Sequence, residues 1–428
     1  MFDAQLDRRQ LFGTGAGLLA FTALPAYAKR ARFNNLGWDK VQTLFDGYVA
    51  NDRLPGAVAA LAHDTDDASF IVSGKIARDD TRAMDADSLF RIYSMTKPIT
   101  GMAAMMLIED GKLGLDQNIA DFIPGFKSPM VLIDPMKDLS TRPAARPITV
   151  RNLLTHTAGL GYNIITKGPL LEEYNRLGIS PGQVSRKPIP GFKPVVTAPS
   201  LEEFANRLAT LPLIAEPGSK WSYSVSLDLL GRIIEIASGM PFDRFLKTRI
   251  FDPLGMTSTF FQVPASEVAR LTTNYGVSPM GKFPIDPGKD SIYLDKPAFP
   301  FGGAGLVSSA RDYDRFLLML AGHGAIGRTR VMKKGTAKLG MSNLLPPGAD
   351  TKGTFADGQG FGAGGRVTIA AADRLGAGVG TYGWAGAAAT IAWVDPTRGM
   401  RACGFAQYMP DQTMPFTTEF GKAAYASL

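Results

Sequence analysis

The sequence predicts an α+β chain: an antiparallel sheet assembled from both ends, flanked by helices, with a helical lobe inserted between the two halves. Three observations lead there. Short β-prone runs occur early, at residues 56–62 and 69–74, and again late, at 365–370, 384–394 and 400–408. Between them, residues 115–290 read as helices joined by Pro/Gly-rich loops, with no clear strands. Finally, 428 residues with 45% apolar and 20% charged side chains are enough for one large two-lobed unit.

Composition excludes several classes. The formal charge of +7 comes from 46 Lys and Arg against 39 Asp and Glu. These charges are dispersed, with no basic block and no aromatic–basic interleaving, which points to solubility and away from nucleic-acid binding. The single cysteine, Cys403, excludes an intrachain disulfide, and its surroundings at 400–406 read as a buried strand. The three histidines, His63, His156 and His323, are not paired at metal-ligand spacing, so no zinc site and no cofactor is expected.

In chain order, residues 1–28 read as a twin-arginine signal peptide. Arg8-Arg9 precede a weakly apolar Gly/Ala-rich run at 13–24, and Ala26 and Ala28 suit a signal peptidase. The run is too short to span a bilayer. A periplasmic or secreted protein without stable membrane association is therefore expected, the alternative being a cytoplasmic one. Residues 56–62 and 69–74 form a hairpin around a polar turn at 63–67, with His63 solvated at its tip. A nearly all-apolar helix follows Ser94, runs through 102–108 and stops at Gly111, buried on every side.

Thr149 caps a short helix ending at Gly159, with His156 in a structural place at its last turn. Gly178-Ile179-Ser180-Pro181-Gly182 matches a nucleophile elbow, but Pro181 has no N–H for an oxyanion hole and a helix end, not a strand, precedes it. Tyr223 stands exposed where a Pro-Gly turn leads into a helix. The Gly302-Gly303 turn is read as close backbone packing, and His323 as the end of the helix that follows. The last two strands pair antiparallel through a turn at 395–399, and a helix at 415–426 closes the chain.

The chemistry concentrates in Phe90-Arg91-Ile92-Tyr93-Ser94-Met95-Thr96-Lys97-Pro98, which holds the only Ser-x-x-Lys of the chain. Residues three apart share a helix face, so the Ser94 hydroxyl and the Lys97 amine can meet. A serine hydroxyl becomes a good nucleophile when a base takes its proton, and a buried lysine amine can be that base. At a helix start, Ser94 also lies by the positive end of the dipole and its free N–H groups.

Ser94-x-x-Lys97, Tyr223-Ser224-Val225 and Trp384-Ala385-Gly386 occur in that order, together with Leu153-Leu154-Thr155-His156-Thr157-Ala158-Gly159 and Gly303-Ala304-Gly305-Leu306-Val307-Ser308. This ordered set resembles the serine β-lactamase and penicillin-binding protein superfamily, in its class C β-lactamase-like branch, and most of all the family VIII carboxylesterases. The resemblance covers about residues 56–408. It implies a β-lactamase-like fold whose active site lies between an α/β sheet domain (29–114 and 291–428) and a helical lobe (115–290).

Carried over, the resemblance makes Ser94 the nucleophile, Lys97 its proton acceptor and Tyr223 the partner base or acid. The backbone N–H groups of Ser94 and Ala387 would form the oxyanion hole, and Trp384, Gly386 and Val225 would contact substrate. Two positions depart from the lactamase pattern. Val225 replaces an Asn amide, and Trp384 replaces the lysine that attracts a substrate carboxylate. Such a site favours neutral acyl esters over anionic β-lactams. The expectation is a carboxylester hydrolase for short- to medium-chain acyl esters, acting on a small-molecule partner through acyl-Ser94, with weak β-lactam hydrolysis as a side activity. The alternatives are a β-lactamase or D-alanyl-D-alanine peptidase, or an acyltransferase. Asp228, about a turn beyond Tyr223, either orients groups near the site or decorates a helix surface.

Overall fold

A computed structural model describes residues 37–180, 182–189, 196–278, 281–370 and 376–428; the expected signal peptide lies outside them. The early runs form the expected hairpin, β1 (Gly56–His63) and β2 (Ser69–Gly74), with Ala60 opposite Phe70. The late part supplies β3 (Gly360–Phe361), β4 (Arg366–Val367), β5 (Tyr382–Gly386), β6 (Thr390–Asp395) and β7 (Met400–Phe405). They pair antiparallel in the order β3-β4-β5-β6-β7-β1-β2. The two ends of the chain meet in the β7–β1 ladder, where Val58 faces Phe405 and Ala60 faces Cys403.

The helices that position the site are α1 (Asp39–Ala50), α2 (Thr96–Glu109), α3 (Val150–Leu154), α4 (Ser226–Ser238), α5 (Ala310–Ala321) and α6 (Phe416–Tyr425). Seven of the eight β1 residues are buried, because both faces of the sheet are covered. Ala57, Ala59 and Leu61 pack with Val41, Phe45, Phe416 and Phe420 of α1 and α6. Val58 and Ala60 point the other way, into a larger core shared with α2, α4 and α5. Cys403 is buried there, as expected. The described residues form one unit, and no helix among them is long and apolar enough to cross a membrane.

The middle segment differs from expectation by containing strands. Met130–Leu132 pairs with Thr141–Pro143, and Asn274–Ser278 with Gly281–Asp286. Both pairs are short and interrupted by proline, Pro143 and Pro284, which removes a ladder donor and masks the alternation. The run 384–394 is two strands and not one: the chain turns at 387–389, with Ala389 at φ +58°. The run 365–370 shrinks to the two-residue β4. Thr149 caps α3 as expected, in a capping box with Asn152.

Candidate active site

The nucleophile segment enters as an extended pair, Phe90–Arg91 against Val307–Ser308, and turns abruptly. Tyr93 takes φ +40°, a conformation that costs about 1–3 kcal/mol for a bulky residue. Its ring meets Tyr293 edge-on at 6.3 Å, and its hydroxyl accepts a hydrogen bond from Asn274 Nδ2 at 3.3 Å. A single 3₁₀ turn, Tyr93–Met95, then feeds α2. This places Ser94 at the helix start and Lys97 one turn on, the latter fully buried.

Two donors converge on Ser94 Oγ: the Tyr223 hydroxyl at 2.6 Å and Lys97 Nζ at 3.1 Å. Lys97 Nζ also donates to the Gly303 carbonyl at 2.8 Å and lies 4.6 and 5.5 Å from the ring centroids of Tyr223 and Tyr162. The indole N–H of Trp384 donates to the Tyr223 oxygen at 3.2 Å. Tyr223 is not exposed as expected but 6% exposed, stacked on Trp221 at 5.9 Å. Only its hydroxyl edge needs to reach the cavity.

Asp228 is buried, so the helix-surface reading fails. One carboxylate oxygen accepts the Gly303 N–H at 2.8 Å, while the Gly303 carbonyl accepts from Lys97. Asp228 thus holds the turn that holds the lysine. Burial pushes its pKa up to about 7, against the opposing pull of Lys97 and the Gly303 bond. His156, at φ +56°, sits where expected at the end of α3, its Nδ1 2.9 Å from Ser224 Oγ and its ring 5.0 Å from Tyr223. Burial first, and the Lys97 charge second, hold its pKa well below the ordinary histidine range. It is a neutral packing group behind the tyrosine.

A cavity of about 300 Å³ opens at this cluster, lined by Ser94, Tyr223, Trp384, Gly386 and Ala387, with Ile164 and Phe355 among its other walls. Gly386 is required: a Cβ there would fall 2.3 Å from the Ile92 carbonyl oxygen, so only glycine lets β5 lie against the nucleophile turn. Val225 is set apart from the group. It is fully buried at the start of α4, outside the cavity lining, with its N–H given to the Gly161 carbonyl. The expected substrate contact at Val225 is corrected to a packing role.

Ser180 accepts from Asn163 Nδ2 at 3.3 Å and follows a helix, as its exclusion required. A wider groove of about 880 Å³, between residues 200–262 and 296–300, contains none of the cluster. Sequence reasoning missed the Asp228–Gly303–Lys97 link and the Trp384–Tyr223 bond. The only available signal was the placement of Asp228 on the helix that starts just after Tyr223.

A serine meeting a lysine and a tyrosine beside β5 of an antiparallel sheet defines a class, and the comparisons agree. The family model described as Beta-lactamase matches residues 41–423; the chain belongs to that family. Protein Rv1367c of Mycobacterium tuberculosis is 34% identical over 77% of this chain and 79% of its own. Esterase EstB of Burkholderia gladioli is 33% identical over 65% of this chain and 68% of its own. Among solved structures, EstCE1, described as a hydrolase with promiscuous acyltransferase activity, superposes with a TM-score of 0.74 at 28% identity. It covers 90% of this chain and 98% of its own.

Proposed function

We propose that this protein is a serine carboxylester hydrolase that works through an acyl-Ser94 intermediate. The observation that carries the reading is the pair of donors, Tyr223 and Lys97, on one serine oxygen in a cavity walled by Trp384. Ser94 Oγ attacks the ester carbonyl as its proton passes to the Lys97–Tyr223 pair, the serine hydroxyl turning to donate along one of these two contacts to the member that offers a lone pair. The N–H groups of Ser94 and Ala387 receive the oxyanion. The pair then returns the proton to the departing alkoxide, which leaves as the alcohol. Water, deprotonated by the same pair, attacks acyl-Ser94 and releases the acid. Trp384 orients the Tyr223 hydroxyl and offers no cation to an anionic β-lactam.

The cavity volume suits short- to medium-chain acyl groups. The name of EstCE1 favours a second outcome, in which an alcohol replaces water as acyl acceptor. The same reading takes residues 115–290 as the lobe facing the sheet domain (29–114 and 291–428) across the site, and residues 1–28 as a twin-arginine leader to the periplasm, resting on Arg8-Arg9 and Ala26-Tyr27-Ala28. The test compares a short p-nitrophenyl ester with a chromogenic cephalosporin, for wild type and Ser94→Ala. Ester turnover should dominate and fall by about 10³-fold or more in the variant, with folding intact by circular dichroism. Undiminished ester turnover without Ser94, or dominant cephalosporin turnover, overturns the reading.

A further inference from the structure

Exposed large apolar side chains are unevenly placed on this molecule. Fourteen occur among the described residues, and six of them (Met130, Ile133, Met136, Leu139, Ile164 and Ile165) fall between 130 and 165. Ile133, Met136 and Ile164 are 65, 64 and 65% exposed, and exposed apolar side chains gathered in one region, unlike singly scattered ones, mark interaction surfaces. Four of the six lie on the hairpin of Met130–Leu132 and Thr141–Pro143 or at its tip. That hairpin is bolted to the fold by two bonds, Leu132 N–H to the Leu213 carbonyl and Leu213 N–H to the Met130 carbonyl.

The tip abuts the segment carrying the other two. Gly168 lies so close to Pro135 and Met136 that a Cβ on it would fall 2.6 Å from the Pro135 oxygen. Ile164, four residues earlier, lines the Ser94 cavity, as does Phe355, which is 57% exposed. The segment 164–168 therefore links the hairpin tip to the mouth of the site.

Its charge is mixed, with a positive excess. Residues 127–167 carry six basic side chains against two acidic ones. The two acids, Asp134 and Asp138, accept the backbone N–H groups of Met136 and Ser140 within their own turns and keep their negative charge. Arg142 and Arg151 are paired with Glu216 and Asp116. Lys127, Lys137, Arg146 and Lys167 are exposed and left to face solvent. Bulky exposed apolar groups in a segment with an excess of exposed cations match an anionic lipid surface, where the apolar groups enter the acyl boundary and the cations meet phosphates.

We propose that this face is an interfacial docking surface that adsorbs reversibly to an anionic lipid–water interface and presents water-insoluble esters to Ser94. The delivery step rests on the esterase reading; the adsorption does not. Side chains on one hairpin reach only the headgroup and upper acyl region, so contact is reversible and distinct from anchoring.

The full-length protein is co-sedimented with vesicles of phosphatidylcholine plus phosphatidylglycerol, and with vesicles of phosphatidylcholine alone. Wild type should partition onto the anionic vesicles and be released by salt. The double variant Ile133→Ser/Met136→Ser should bind about tenfold more weakly or worse. It should hydrolyse a vesicle-embedded ester more slowly, yet turn over a soluble p-nitrophenyl ester at the wild-type rate. Lys137→Gln/Lys167→Gln should flatten the salt dependence. Equal binding of wild type and the serine variant overturns the proposal, as does absence of wild-type binding. So does a wild-type dimer, seen by sedimentation equilibrium, that the serine variant dissolves, because the patch then serves self-association. Loss of soluble-ester turnover in both proteins with vesicle binding preserved would instead sink the esterase reading.

Discussion

A buried carboxylate facing a buried amine makes Asp228 the residue where pH reaches the site. It is fully buried, and its second carboxylate oxygen has no hydrogen-bond partner. Its folded pKa of about 7 lies above the ordinary carboxylate value of 3.8, so folding favours the protonated form. The stability this contributes is complete below about pH 4 and is lost as pH rises toward 7, with a limiting slope of about 1.4 kcal/mol per pH unit. Asp228→Asn keeps an acceptor for Gly303 and removes the titration. Urea unfolding from pH 4 to 8 should show wild type losing stability relative to the variant across that window; parallel profiles would refute the assignment. Ser94 and Lys97 were legible in the sequence because their relation is local, three residues on one helix. Tyr223 and Trp384 were placed by resemblance to a family pattern. Asp228 could be seen, but its partner Gly303 lies 75 positions on, and no local pattern encodes that meeting.

The element that carries the chemistry is α2, and it is held rigidly. All residues from Thr96 to Leu107 are buried, as the nearly all-apolar run implied. What the run does not reveal is that another backbone crosses the helix. Ala363 and Gly364 lie against it, tied by bonds from their N–H groups to the Gly340 and Leu154 carbonyls. A Cβ at Gly101 would fall 2.1 Å from the Ala363 oxygen, and one at Gly364, which has φ +74°, 2.3 Å from the Lys97 oxygen. Gly101→Ala gains helix propensity of about 1 kcal/mol and meets an overlap with backbone that cannot swing aside. The net effect should be a loss of about 1–3 kcal/mol, read by urea unfolding, with ester turnover falling as Lys97 shifts. A stabilised variant would mean the crossing is looser than described. The helices and the long terminal strands were legible because each repeats a period over many residues. The proline-broken pairs at 130–143 and 274–286 have no such length and are formed by their neighbours.

Across the whole molecule, the strained turn before Ser94 depends on a buried ion pair that ties together three distant stretches of chain. Arg91, two residues before Tyr93, is fully buried with Asp286, its Nε 2.6 Å from the carboxylate. The same guanidinium donates to the Thr272 carbonyl, the Ser291 hydroxyl and the Gln407 amide oxygen. It therefore joins the nucleophile strand to the 272–291 region and to the chain leaving β7. Its neighbours Tyr93, Asn274 and Tyr293 are the ones that hold the φ +40° turn. Removing one partner strands the other charge away from water, which costs about 3–5 kcal/mol. Arg91→Met should lose stability on that scale and ester turnover with it, since Tyr93 loses its support. Arg91→Met/Asp286→Asn removes both charges while keeping an acceptor for the Ile292 N–H that Asp286 now receives. The double variant should then be less destabilised than the sum of the single variants by about 1–3 kcal/mol, measured by urea unfolding in a double-mutant cycle. Strict additivity would mean that the two charges do not depend on one another. The turn that presents Ser94 would then owe its shape to the packing of Tyr93 on Tyr293 and its hydrogen bond from Asn274.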